Sequence, residues 1–329
     1  MMKSDIQSKK ELSYYFKLCL YQIKLWIKES RASFFTGTII PVVLGSVLAW
    51  HDTSIFLWQK FWLALVGSIL IHAGTNISND YFDHLSGGDE ANPNYSQFNG
   101  GSRMIQNGLI APKNVLYGSL VCFALGGAIG LYLNFISGGN MILLLGVIGV
   151  FLGFFYTAKP FKIGYGSFGE LSVGIGFGPL MVMGSYYVQA QQLSIRVFLV
   201  SIPIGLLIAL ILFINEFPDY FADKKVGKKT LVVVLGKRNA VTLYHFSLLA
   251  IYLTIIFLVI FKFLPFICLI ALLSLPIAIK AFIVSRNNFD RVYELLPANA
   301  STIGLHSSIG LLLCIAVILD KFFLIKGQL

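Results

Sequence analysis

Apolar residues run along this chain in long blocks, not at alternating positions. Nine blocks stand out, at about 33–50, 56–78, 114–136, 140–157, 168–189, 196–215, 239–261, 263–284 and 301–325. Each is close to the roughly 20 residues that a helix needs to cross a bilayer. Lipid offers the backbone no hydrogen-bond partners, so blocks of this length predict helices. Ahead of the first block, Leu12 to Trp26 places apolar residues at helical spacing with lysines on the other face. That pattern predicts an amphipathic helix lying at the membrane interface. Pro265, shortly after Lys262, marks a tight turn between the seventh and eighth blocks. The expected architecture is an all-α polytopic membrane protein, with residues 1–31 as an N-terminal segment and 32–329 as the membrane domain.

Composition strengthens this reading. Of 329 residues, 57% are hydrophobic and 12% charged, and the mean hydropathy is +0.78. Little chain remains for a soluble domain. A net charge of +10 would suit a nucleic-acid partner, but its distribution argues otherwise. With the N-terminus inside and the spans alternating, 20 of the 25 Lys and Arg fall on the inner side. This is the positive-inside pattern of membrane topology, so nucleic acid is excluded as a partner and the C-terminus is expected outside. The inner connections at 79–113 and 215–238 are long and polar, whereas the outer ones are short. Function is therefore expected at the cytoplasmic mouth. Cys19, Cys122, Cys268 and Cys314 are scattered singly and read as small hydrophobes. No cleavable signal or organelle-type presequence is evident, which points to a prokaryotic plasma membrane.

Chemistry concentrates in two acidic stretches. Asn79-Asp80-Tyr81-Phe82-Asp83, with Asp89 beyond it, follows one apolar block. Asn215-Glu216-Phe217-Pro218-Asp219-Tyr220-Phe221-Ala222-Asp223 follows another. Both are expected as loops opened by an Asn. Asn79 and Asp83 are four apart, as are Asp219 and Asp223, and on a helix that spacing puts both on one face. Carboxylates this close repel unless a cation joins them, and an all-oxygen donor set suits Mg²⁺. Arg103 offers a fork for phosphate. Lys159, Lys162 and Lys228 add positive charge near the same mouth, although inner loops are basic in any case. Tyr156 is a candidate wall for a developing cation, while Tyr156 and Tyr165 also fit an interfacial aromatic belt. Glu170 fits the first turn of a helix. His72 lies within a span and reads as a buried, hydrogen-bonded histidine. Gly74, Gly174, Gly176 and Gly178 suit close helix packing.

Taken together, the two acidic stretches resemble the paired Asp-rich motifs of the UbiA superfamily of intramembrane prenyltransferases. The second stretch is followed by Gly227-Lys228-Lys229-Thr230-Leu231, as in that superfamily, and the resemblance runs from about residue 30 onward. Within it the chain is most similar to the 1,4-dihydroxy-2-naphthoate polyprenyltransferases of menaquinone synthesis. The matching features are Asn79-Asp-Tyr-x-Asp83 with Gly87 and Asp89, Tyr156-Thr-Ala, Tyr165, Gly169-Glu170, Gly178-Pro179 and Gly184-Ser-Tyr-Tyr-Val. Pro218 stands where many members of that branch carry Arg. Gly87 falls at the third acidic position of the shorter ubiquinone-type motif, so Asp89 takes that part.

The resemblance implies Mg²⁺-dependent transfer of a polyprenyl group from an allylic diphosphate to an aromatic acceptor, with the lipid bilayer housing the isoprenoid tail. It implies metal ligands among Asn79, Asp80, Asp83, Asp89, Asp219 and Asp223. It assigns the diphosphate to Asn79, Arg103, Lys159, Lys162, Asn215 and Lys228, and catalysis to Asp83, Asp219, Asp223, Tyr156 and Arg103. Other acceptors of the superfamily stay open: 4-hydroxybenzoate, homogentisate, a haem or chlorin, or a glycerol-phosphate lipid. A transporter with an acidic cation site is the alternative of a different class. It would call for charge near the bilayer centre, whereas here the charges gather at one end of the spans.

Overall fold

A computed structural model describes residues 2–326, with side chains from 13 to 325, and contains no strand among them. Its helices are α1 (Met2–Glu29), α2 (Thr36–Thr53), α3 (Trp58–Ser86), α4 (Pro112–Ser137), α5 (Met141–Phe154), α6 (Gly169–Ile175), α7 (Met181–Ala190), α8 (Ile195–Lys225), α9 (Leu231–Leu235), α10 (Lys237–Ile260), α11 (Leu275–Asn288) and α12 (Val292–Lys326). A π-helical turn joins α6 and α7 into one span, and a 3₁₀ segment at Phe266–Ser274 leads into α11.

Among the described residues, eight helices are long and apolar enough to cross a membrane. The fourth expected block is the exception. It yields α5, whose 14 residues rise only about 21 Å against a hydrocarbon core of about 30 Å. Pro160, Gly164 and Gly166 follow, and the chain turns back before the helix reaches full length.

The acidic stretches were expected as loops, but both are helical. No breaker separates Ile77 from Gly87, so α3 continues through Asn79–Asp83. It stops only where Gly87 adopts φ 73°, a left-handed cap that favours glycine. α8 likewise carries Asn215–Asp223 in its last turns, with Pro218 inside it. Proline there leaves the Ile214 carbonyl without its helical partner. The amide of Asn299 on α12 donates to that oxygen at 3.1 Å. The departure at Pro218 is thus accommodated by a neighbouring helix.

α3 packs on α4, α2 on α7, and α12 on α11, α2 and α8. Glycines set the closest approach, between α8 and the α6–α7 span. A β-carbon on Gly178 would lie 2.6 Å from the Gly205 Cα, and one on Gly205 would lie 2.6 Å from the Gly174 carbonyl. Gly176 was expected in the same role but faces open space. His72 is buried and its Nδ1 shares a hydrogen with Thr38 Oγ1 at 2.7 Å, as the sequence suggested.

Candidate active site

Because α3 and α8 both carry their acids in the final turns, packing brings the two motifs to one end of the bundle. Lys228 Nζ joins them, 3.0 Å from Asp83 Oδ2 and 3.7 Å from Asp223 Oδ1. Burial alone would lower the Lys228 pKa, but the Asp83 and Asp223 carboxylates outweigh it and hold the ammonium charged. The Tyr165 hydroxyl donates to Asp83 Oδ1 at 2.8 Å and lies 2.6 Å from Ser86 Oγ. Lys228 also sits over the Tyr165 ring at 4.7 Å. Asp219 is fixed differently: the amides of Asn92 and Asn99, from the loop after α3, both donate to its Oδ1 at 2.5 Å. Each motif is thus oriented by polar groups from a loop elsewhere in the chain.

Below this basin a cavity of about 870 Å³ opens between the helices. Its polar end includes Asn79, Asp83, Asp89, Asn215, Asp219 and Asp223. Tyr156, Phe154 and Phe177 wall its middle, and Gly126, Leu133, Ile142 and Val150 of α4 and α5 line its far reach. The Tyr156 ring lies on Gly164, where a β-carbon would meet it at 2.5 Å. Burial, then the charges of Glu216 and Glu170, hold the Tyr156 hydroxyl protonated. It is a neutral wall, not a base.

Not every expected residue reaches the cavity. Arg103 does not line the cavity, and its backbone takes φ 65°. Its guanidinium donates to the Asp89 carbonyl at 2.5 Å and covers the Tyr95 ring at 4.4 Å, so it braces the loop. Lys159 is exposed, and Lys162 stacks over Tyr165 at 4.3 Å. Neither lysine lines the cavity. Asp80 is buried behind the basin, where the Ser102 amide donates to its Oδ2 at 2.7 Å and its Oδ1 has no partner. The Asn215 side-chain oxygen Oδ1 accepts from the Asn299 amide at 2.7 Å.

Three features escaped the sequence reading. Arg31 follows α1 in a left-handed conformation, φ 53°, and lines the cavity. Burial would weaken its charge, but Asp80, Asp89, Asp83 and Asp219 outweigh that. Glu170 accepts from the Leu231 amide at 3.2 Å, and its carboxyl faces that of Glu216. Each keeps one buried oxygen without a partner. Tyr165, which also fits an aromatic belt, orients a motif carboxylate.

The donor set fits a hard divalent cation, since Asp83, Asp89, Asp219 and Asp223 bring carboxylate oxygens to one end of the cavity and Asp80, packed behind Asp89 across Gly101, keeps an oxygen without a partner. Among the described residues, no three His, Cys, Asp or Glu side chains close on one point, so ligand phosphate oxygens and water would complete any coordination. Asp89 is pushed up to about 8 by burial, then by Asp83 and Asp80, the behaviour of carboxylates crowded together without their counter-ion.

A helical bundle with acid pairs at one end, over an apolar cavity, defines an intramembrane site for a charged head and a long apolar tail. The signature of the UbiA prenyltransferase family matches residues 38–303, and the chain belongs to that family. It is a membrane enzyme of prenyl transfer. A 1,4-dihydroxy-2-naphthoate octaprenyltransferase of Bacillus subtilis is 31% identical over 302 residues, covering 91% of this chain and 93% of that one. A protein of the same description from Mycobacterium tuberculosis is 31% identical over 257 residues, 78% of this chain and 84% of that one. In fold, the chain superposes on a UbiA homologue from Archaeoglobus fulgidus bound to DMAPP and Mg²⁺. The TM-score is 0.64 at 14% identity, covering 86% of this chain and 98% of that one.

Proposed function

We propose that this chain transfers a polyprenyl group from its allylic diphosphate to 1,4-dihydroxy-2-naphthoate, in a plasma membrane, as a step toward menaquinone. The observation that carries the reading is the meeting of the α3 and α8 carboxylates across Lys228, over a cavity whose far reach is apolar. The relatives in Bacillus and Mycobacterium support the choice of acceptor.

Asn79, Asp83, Asp89, Asp219 and Asp223 would hold Mg²⁺. Bound there, Mg²⁺ supplies positive charge to the departing diphosphate. Lys228 and Arg31 take the remaining phosphate charge from opposite sides of the basin. Asn215 and Asp80 act one layer back, through Asn299 and the Ser102 loop. Tyr156, Phe154 and Phe177 keep water from the allylic carbon as its bond to oxygen breaks, and present ring faces to the developing cation. The isoprenoid tail lies along the glycine- and leucine-lined reach of α4 and α5. The acceptor ring attacks the freed carbon. In the net reaction the ring gains the prenyl group and loses its carboxyl as carbon dioxide, and diphosphate is released.

The test is direct. The purified protein in liposomes receives geranylgeranyl diphosphate and 1,4-dihydroxy-2-naphthoate, with Mg²⁺, with EDTA, or as Asp83→Ala, and prenylated product is measured by mass spectrometry. Product that requires both Mg²⁺ and Asp83 is the expected result. Mg²⁺-dependent diphosphate release only with another aromatic acceptor would overturn the acceptor and keep the reaction class. No turnover with any acceptor, in folded protein, would overturn both.

A further inference from the structure

From Ser13 onward, α1 carries a surface that no other described residue covers. Lys17 and Lys24 are seven residues apart and Lys28 follows one turn later, so three ammonium groups share one stripe. Lys3 and Lys10 continue the seven-residue spacing in the sequence. On the broad remaining arc Tyr15 and Phe16 are 65% and 63% exposed, and Ile23 and Ile27 about half exposed. Large apolar side chains left in the open along one element mark a surface that meets something. A cationic stripe beside a broad apolar arc is the pattern of a helix lying in the plane of a bilayer surface.

Two observations choose the occupant. α1 runs into the membrane span α2 through only Ser30–Phe35, which fixes it at the end of the bundle that carries the acid motifs. The acids of α1 are Asp5 and Glu11 ahead of this stretch and the buried Glu29 after it. Ser13 to Lys28 contains none, so a second copy meeting this stretch would bring lysines against lysines, whereas anionic headgroups complement them.

The other end of α1 is locked into the site. The Trp26 ring fills the space of a missing β-carbon at Gly118. Leu25 packs with Ile77 and Val115. Asn76 donates to the Ser30 carbonyl at 2.9 Å, and Ser102 donates to the buried Glu29 carboxyl. The next residue is Arg31, in the carboxylate basin. We propose that α1 lies on the bilayer surface, with its lysine stripe among anionic phospholipid headgroups, and that this seating holds Arg31 in the basin. The bilayer surface is a partner distinct from either substrate.

The exposed Cys19 provides the probe. In a Cys122→Ser background of the full chain, with Cys268 and Cys314 buried, Cys19 takes a polarity-sensitive dye. The protein is placed in phosphatidylcholine vesicles with or without phosphatidylglycerol. The expected result is a blue shift of emission on the anionic vesicles, reversed by salt and lost in Lys17→Glu/Lys24→Glu, at about fivefold weaker seating per lysine. Prenyl turnover is expected to rise several-fold on anionic vesicles. In the double variant it stays at the phosphatidylcholine level, where variant and parent match. Equal emission in both lipids, or a shift that survives charge reversal, would overturn the docking. A shift that follows protein density and not lipid charge would assign the surface to a second copy. Docking without any change in turnover would overturn the link to Arg31. The dye reports even if the acceptor is another, so failure here and failure of the functional reading are separable.

Discussion

At the end of the bundle away from the acid motifs, Asp52 lies at the close of α2. It accepts from Tyr186 at 3.0 Å, from Arg196 and from His51 at 3.2 Å. The other His51 nitrogen meets Asp320 at 3.0 Å. Lys321 donates to the His51 carbonyl at 2.9 Å, and Arg196 to the Phe263 carbonyl at 2.8 Å. None of these polar atoms is buried without a partner. At the motif end the same residue types are left incomplete: Asp80, Glu170, Glu216 and Glu29 each keep an orphaned oxygen. One end has spent its charges on joining α2, α7, α8 and α12. The other gathers its charges around a cavity, where Asp83, Asp219 and Asp223 keep open faces and the acids packed behind them are not fully paired.

If that contrast is right, matched substitutions should give opposite readouts. Asp83→Asn or Asp219→Asn should lower turnover by about 10²- to 10³-fold, the scale of losing an electrostatic partner of the leaving group, while the fold survives. Asp52→Asn should leave turnover per folded molecule unchanged. Product formation measured beside thermal unfolding decides it, and equal loss of turnover at both ends would end the comparison. The converse effect on stability is next in size. Asp52→Ala strands Arg196 and Tyr186 and should cost about 1–3 kcal/mol. Asp89→Asn in metal-free protein should cost nothing, since burial and neighbouring acids already favour a neutral side chain there. Unfolding midpoints in detergent without Mg²⁺ would show the difference.

The acid motifs were legible because a carboxylate near an apolar block needs a reason, and two matched blocks share one. Span number was legible to the extent that block length is, and α5 fell short because a break beyond the block ends it. The helical state of the motifs was foreshadowed only by the four-residue spacing and by the absence of a breaker before Gly87. Other residues hid behind ordinary explanations. Arg31 follows six lysines that topology alone would place there. Tyr165 sits where interfacial aromatics are common. Arg103 looked like a phosphate fork because residue type was visible and direction was not: its φ of 65° and its contact with Tyr95 exist only in three dimensions. Glu170 and Glu216 lie 46 positions apart, and nothing in either local pattern announces their pairing.

Tyr165 gives a finer test of the contrast, because it acts on the site through Asp83. Tyr165→Phe keeps the ring over which Lys228 sits and removes the donation to Asp83 and the contact with Ser86. Supporting groups of this kind are worth about tenfold in metal affinity or activity. A Mg²⁺ titration of turnover should therefore shift by about that factor, with saturating turnover less affected. A drop in saturating turnover alone would make Tyr165 a group that touches substrate.

The smallest effect concerns protons at the motif end. Asp89 titrates near 8 when folded without metal, against about 3.9 when unfolded. Between those values the folded chain holds a proton that the unfolded chain has released. The stabilisation this gives is fully present below the unfolded value, and it is lost as pH rises through about 8. The metal-free unfolding midpoint should thus fall between about pH 6 and pH 8. Mg²⁺ has the opposite dependence, because at the lower pH it must displace that proton. Its affinity should rise by at most about tenfold per pH unit and level off beyond pH 8. The Mg²⁺-induced shift in midpoint should accordingly be larger at about pH 8.5 than at pH 6. An equal shift at both would remove Asp89 from the set that holds the metal, and leave Asp83, Asp219 and Asp223 to carry it with Asn79.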